Sequence, residues 1–201
     1  MILSEFLCLT VSAERTDFLT LVSPTLRNFL VAHPSALEAL THNETFTKRT
    51  LQLYYFYTDD ESKPKASHDF ISQSEAVFYI RENQKPPDEF LCLIYEFVNS
   101  ENDEHFQELV HMARSGGITR EAFVKEILEA EFKATKKIRD MLANFRFTKR
   151  EISESDYYKK FKNSPDDYDE FIAYSQRLVS PHRDIVKEYE MKYDVLRTSK
   201  H

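Results

Sequence analysis

Phe46-Thr47-Lys48-Arg49-Thr50-Leu51-Gln52-Leu53-Tyr54-Tyr55-Phe56-Tyr57 is the stretch on which the fold class turns. Phe46, Thr50, Leu53, Tyr54 and Tyr57 recur at i, i+4, i+7, i+8 and i+11, the spacing of one helix face. On that reading residues 44–57 are a helix. A second reading is a strand through 51–57, since aromatic residues suit a pleated surface. Glycine usage points to the helix. The 201 residues include two glycines, Gly116 and Gly117, where a usage of about 7% would give about fourteen. Tight hairpins lean on Asn-Gly, Asp-Gly and Gly-Gly turns, and neither of the first two pairs occurs. Adjacent glycines also exclude a Walker-type phosphate loop and a dinucleotide fingerprint, which need separated ones.

Working outward, serine and proline punctuate the chain. Ser23-Pro24, Ser164-Pro165 and Ser180-Pro181 each read as an N-cap followed by the first helical residue. Ser35 with Glu38, and Ser100 with Asp103, have capping-box spacing. Ser115-Gly116-Gly117 ends one helix and Thr119 begins the next. These signals place helices over 13–22, 24–32, 35–42, 44–57, 69–82, 88–99, 101–115, 120–146, 154–162, 165–179 and 181–197, with residues 3–10 ambiguous. Asp69 caps the helix 69–82, residues 59–67 are a polar loop, and Lys85-Pro86-Pro87 is a break. The expected fold is therefore all-α, a single multi-helix bundle of about nine or ten helices around a long central helix, 120–146. Phe123, Ile127, Ala130, Glu131, Ala134, Ile138, Met141, Leu142 and Phe145 form its seam. At 1.5 Å per residue it would run roughly 40 Å. One domain over 1–201 is expected, with 59–67 and 84–88 as the places where it would divide.

The charge balance, 27 basic against 34 acidic residues for a net −7, argues against wholesale wrapping of nucleic acid. Cys8 and Cys92 both sit in apolar runs and read as reduced core thiols of an intracellular protein, cytoplasmic or nuclear. The apolar start lacks a positive n-region, and no apolar run approaches the ~20 residues of a membrane span, so no membrane partner is expected.

Motifs with metal or nucleophile chemistry are incomplete. Ser115 to Phe123 resembles the second half of an EF-hand calcium loop. With Gly116 at the turn, however, the ligand positions fall on His111, Ala113, Ser115 and Ala122, none of them a carboxylate. Glu108 and His111 have the Glu-x-x-His spacing of carboxylate-bridged di-iron bundles, without a second copy. His68-Asp69 is similar to the paired residues of HD-class metal-dependent phosphohydrolases. That resemblance implies an all-helical site drawing on His33 or His42, with His68, Asp69, His105 and His111. A Gly-x-Ser-x-Gly elbow and a His-Glu-x-x-His motif are both lacking.

The basic stretch is better formed. Lys133, Lys136, Lys137, Arg139, Arg146, Lys149 and Arg150 crowd one segment, interleaved with Phe145 and Phe147. Acids precede them on the same helix, an order that complements the helix dipole. They also form a candidate surface for an acidic partner. Eleven tyrosines add to the case, since Tyr is enriched at interfaces. The leading expectation is a non-enzymatic intracellular module for protein–protein interaction, an adaptor or complex subunit, with no cofactor and no metal. Gly116-Gly117 is its candidate hinge. The alternatives are the HD-like phosphohydrolase and nucleic-acid binding through 133–150.

Overall fold

Residues 50–56 take the strand reading. The computed structural model describes residues 15–58, 65–179 and 184–199. In chain order these form helices α1 (Arg15–Leu21), α2 (Pro24–Ala32), α3 (Pro34–Thr41) and α4 (Glu44–Lys48), then strands β1 (Thr50–Phe56), β2 (Ala66–Ser72) and β3 (Glu75–Arg81). Helices α5 (Pro86–Ser100), α6 (Asp103–Ser115) and α7 (Arg120–Met141) follow, with a 3-10 turn at Leu142–Asn144. Helices α8 (Lys149–Glu154), α9 (Asp156–Lys162), α10 (Tyr168–Val179) and α11 (Ile185–Thr198) complete the described chain. The protein is mostly helical, but a three-stranded mixed sheet overturns the all-α expectation. Its order is β1-β3-β2, with β1 parallel and β2 antiparallel to β3.

The period of two explains β1. Leu51, Leu53 and Tyr55 share the core-facing side with their register partners Ala76, Phe78 and Ile80. On the opposite face Tyr54 stacks on its partner Tyr79, ring centroids 5.8 Å apart. The helical spacing from Phe46 to Tyr57 is a coincidence, because Phe46 belongs to α4 and the chain turns extended at Arg49. The parallel partner lies beyond β2, out of reach of any local periodicity.

The expected helix 69–82 is instead most of the β2–β3 hairpin, so Asp69 is a strand residue and not an N-cap. Serine makes the turn that glycine would usually make. The Ser72 hydroxyl accepts from the Ser74 amide at 3.2 Å, a local bond that shapes a turn without positive φ. A bulge between Phe70 and Ser72 absorbs the extra residue. Asn83, at φ 60, turns the chain out of β3.

The second correction concerns the axis. α7 ends at Met141 rather than near 146, and its apolar face divides between two clusters. The helix buried on nearly every side is α5, with Phe90, Leu91, Leu93, Ile94, Phe97 and Val98 all enclosed. Phe97 meets Phe78 at 4.6 Å between ring centroids and joins α5 to the sheet. Pro86 and Pro87 start this helix rather than merely breaking the chain, as positions N1 and N2 tolerate. In its first turn Glu89 accepts from the Ser23 hydroxyl at 2.9 Å, and Asp88 accepts from the Tyr157 amide at 3.0 Å. α2 and α9 are thereby tied to a helix end that favours negative charge.

Ser23 and Thr119 are N-caps as read, accepting from the amides of Leu26 and Ala122. Ser164 is not. Its hydroxyl donates back to the Phe161 carbonyl, and Asp167 caps α10 instead. Neither expected capping box forms: α3 starts at Pro34 with His33 as its N-cap, and Ser100 is buried against Thr45. The expected boundary at Ser180-Pro181, the segment 3–10 and Cys8 lie outside the described residues. No helix among the described residues is long and apolar enough to cross a membrane.

Gly116 closes α6 at φ 79, and the Gly117 amide donates to the Met112 carbonyl at 2.8 Å. The Arg197 guanidinium of α11 lies over this joint and donates to the carbonyls of Ala113 and Arg114. A Cβ at residue 116 would stand 2.8 Å from Arg197 Nη1, whereas one at 117 would meet nothing closer than 3.5 Å. Gly116→Ala is therefore expected to cost about 1 kcal/mol or more, and Gly117→Ala less than about 0.5 kcal/mol, in urea denaturation. Equal costs at the two positions would contradict this account.

Candidate functional site

The seven basic residues do not form one patch. Lys133, Lys136 and Lys137 stay together on α7 and line an open groove of about 840 Å³. Arg139 is tied down beside them, its Nη1 donating to the Ser164 carbonyl at 2.8 Å while its other end shares Asp166 with Lys136. Arg146, at φ 53, lies beyond the 3-10 turn, beside His33 and Pro34. Lys149 and Arg150 are on α8, where Arg150 pairs with Glu154 at 2.7 Å.

The groove follows one face of α7. Lys125, Glu129, Phe132, Lys136 and Asp140 recur every three to four residues along it, and Lys133, Lys137, Met141 and Tyr168 complete the lining. Phe132, Met141 and Tyr168 make an apolar floor, with Phe132 and Tyr168 edge-on at 5.8 Å. Lys136 lies over the Phe132 ring at 5.4 Å and 3.7 Å from Asp166, which is 79% exposed. Lys137 is held by Glu101 at 2.7 Å. Lys133 is exposed and has no ion pair among the described residues. The floor is legible in hindsight, since Phe132 is the one aromatic of α7 that falls off the apolar seam.

The histidines of the HD-like alternative do not converge. His33 stacks on Phe29 and faces Glu151, while His42 and His111 are exposed. His105 pairs with Glu126 at 3.4 Å on the surface. Asp69 points outward from β2. Among the described residues no three His, Cys, Asp or Glu side chains are placed to hold one metal ion. Cys92 is buried, and burial pushes its thiol up to about 12, the environment of a core thiol.

His68 is built into a network of charged side chains. Its Nδ1 meets Glu96 Oε2 of α5 at 2.8 Å and its Nε2 meets Asp103 Oδ1 of α6 at 2.9 Å. Arg49 takes the other oxygen of Asp103 and lies over the Phe70 ring. Two cations and two carboxylates thus alternate across the seam between sheet and helices. Burial works against charge on the imidazole, but the bonds to Asp103 and Glu96 overcome it and carry His68 up to about 9. No local pattern in the sequence signals this network, because Glu96 and Asp103 lie 28 and 35 residues along the chain from His68.

Compared with protein-family models, with curated proteins and with solved structures, the chain shows no match.

The His68 network fixes a pH dependence. A histidine whose pKa is raised in the folded state stabilises fully below its unfolded value near 6.5, and that contribution fades as pH climbs through 9. Folding stability should fall by up to about 3 kcal/mol across this window. His68→Gln should flatten the slope in urea denaturation series from pH 6 to pH 9.5. A wild-type slope unchanged by that substitution would contradict the assignment.

Proposed function

We propose that the chain is a protein-interaction module, an adaptor or complex subunit, that docks a short acidic amphipathic helix in the α7 groove. The observation that carries this is the apolar floor of Phe132, Met141 and Tyr168 set beside Lys133 and Lys136. Helix-in-groove recognition needs a hydrophobic trough with anchors at helical spacing and a charged rim to fix orientation. The lined face runs from Lys125 to Asp140, a length of roughly 22 Å at 1.5 Å per residue. That is about four turns of a partner helix. Lys133, without an ion pair among the described residues, can take a carboxylate, and the exposed Lys136–Asp166 pair is weak enough to be exchanged. Glu129 and Asp140 stand toward the two ends. The fitting partner therefore carries its acids centrally and basic or neutral residues at its termini.

The same two acids count against a nucleic-acid backbone, whose charge is uniform. A test compares labelled helical peptides of about sixteen residues, one with a central acidic face beside an apolar stripe and one scrambled at equal composition. The patterned peptide should bind, and Lys133→Glu with Lys136→Glu should weaken it about tenfold or more in fluorescence anisotropy. Equal binding of the scrambled peptide, or preference for single-stranded nucleic acid, would overturn this reading.

A further inference from the structure

Met191 and Val195, one turn apart on α11, are 60% and 62% exposed. Of the large apolar side chains exposed among the described residues, only these two share an element. One exposed apolar residue needs no explanation, but a pair at helical spacing is a stripe that a second helix can cover. The inner face of α11 is already engaged on its own chain, where Tyr189, Tyr193 and Leu196 pack on the second core cluster. The outward face is thus carried by a helix that is already folded, which spares the ordering cost of a free peptide.

The charges beside this stripe match the α7 groove. Lys187, Met191, Asp194 and Thr198 follow at three- to four-residue spacing, all exposed, on the outward face of α11. Lys187 and Asp194 are seven residues apart, as are Asp140 and Lys133 in the groove. Laid antiparallel, the two helices bring Asp194 to Lys133 and Lys187 to Asp140. The same register sets Val195 over Phe132 of the apolar floor and neutral Thr198 toward Glu129. The parallel direction would instead put Asp194 on Lys136, which Asp166 already meets at 3.7 Å, and leave Lys133 unmatched. On their own chain Asp194 and Lys187 have only exposed pairs, with Arg120 at 3.6 Å and Asp184 at 3.9 Å, which exchange readily. The fourteen residues of α11 run about 21 Å, close to the length of the groove.

We infer that the partner of the α7 groove is a second copy of this chain, whose α11 lies antiparallel along α7 with Met191 and Val195 on the apolar floor. The inference rests on the reading of that groove as a helix-docking site. Each copy carries both halves of the contact, the stripe on α11 and the groove on α7. One helix in one groove is a small interface, so the association is weak and reversible.

The test is sedimentation velocity on the full chain over a concentration series. Self-association is expected, and Met191→Lys, Asp194→Lys and Lys133→Glu should each weaken it about tenfold or more. All three positions are exposed, so circular dichroism should stay that of the wild type. Asp194→Lys sets a lysine against Lys133, and Lys133→Glu sets a glutamate against Asp194, so each variant opposes its own pairing. Mixed in equal amounts the two should associate again, because the new lysine of one meets the new glutamate of the other. Association that Lys133→Glu leaves unchanged, or that mixing fails to restore, overturns the inference. A chain that stays monomeric but binds the patterned acidic peptide through Lys133 overturns this inference alone. A monomeric chain that binds no helix there overturns the groove reading with it.

Discussion

The burial of α5 on nearly every side is the constraint from which the rest of the architecture follows. A helix enclosed this way cannot leave its polar side chains to water, so each must find a partner on a neighbour. Glu89 takes Ser23, beside the Tyr55 hydroxyl, which itself accepts from the Ser23 amide. Asp88 takes Ser155 and the Tyr157 amide, Glu96 takes His68, and Ser100 takes Thr45. Those partners come from α2, β1, α9, β2 and α4 and the turns that open them. The polar residues of one helix thus specify the positions of most of the elements packed on it, while its apolar residues provide the driving force. Asn99 Oδ1 is the exception, with no partner among the described residues.

Charge is handled differently at the two ends of this helix. At the N-terminus the carboxylates of Asp88 and Glu89 sit in the positive end of the helix dipole and need only neutral donors. Toward the C-terminus the dipole reverses, and Glu96 is held by His68 instead, which together with Arg49 also holds Asp103 at the start of α6. Removing His68 from that set would leave the buried Glu96 carboxylate without its cation, which costs more than the pair contributes. The sheet is therefore fastened to the helices electrostatically at its β2 edge and by aromatic packing, Phe78 on Phe97, at its centre.

What could be read from the sequence follows the range of the interactions. Helix ends set by a single local residue, the side chains of Ser23 and Thr119 and the left-handed backbone of Gly116, are legible because cause and effect lie within four residues. The sheet is not, for two physical reasons. Its parallel pair is non-local, and its turns use Ser72 and Asn83 where glycine is the usual signal. Scarce glycine thus excludes particular turn types without excluding hairpins. Ser164-Pro165 misleads in the opposite way, since a residue with the chemistry of a cap serves the preceding helix. Of the basic stretch, the lysines one turn apart on α7 remain neighbours, whereas Arg146, Lys149 and Arg150 are carried off by the end of that helix at Met141. Glu131, a carboxylate inside an apolar seam, was visible, but its role depends on Tyr189 of α11, which no local pattern connects to it.

α11 completes the picture because of how it is held. None of its residues is fully buried; Ile185, Val186, Tyr189, Tyr193 and Leu196 pack half-buried on the second core cluster. Its anchors are side-chain tips: Tyr189 to Glu131, Tyr193 to the Ile118 carbonyl at 2.8 Å, and Arg197 to the carbonyls that end α6. A helix attached by hydrogen bonds over modest apolar area belongs to the low end of the local stability range. The same helix covers the Gly116 joint and forms one wall of the pocket lined by His68, Glu96 and Glu131. Seating of α11 therefore sets both at once: with Arg197 over Gly116 the α6–α7 corner is fixed, and with Tyr189 on Glu131 the carboxylate inside the α7 seam is held.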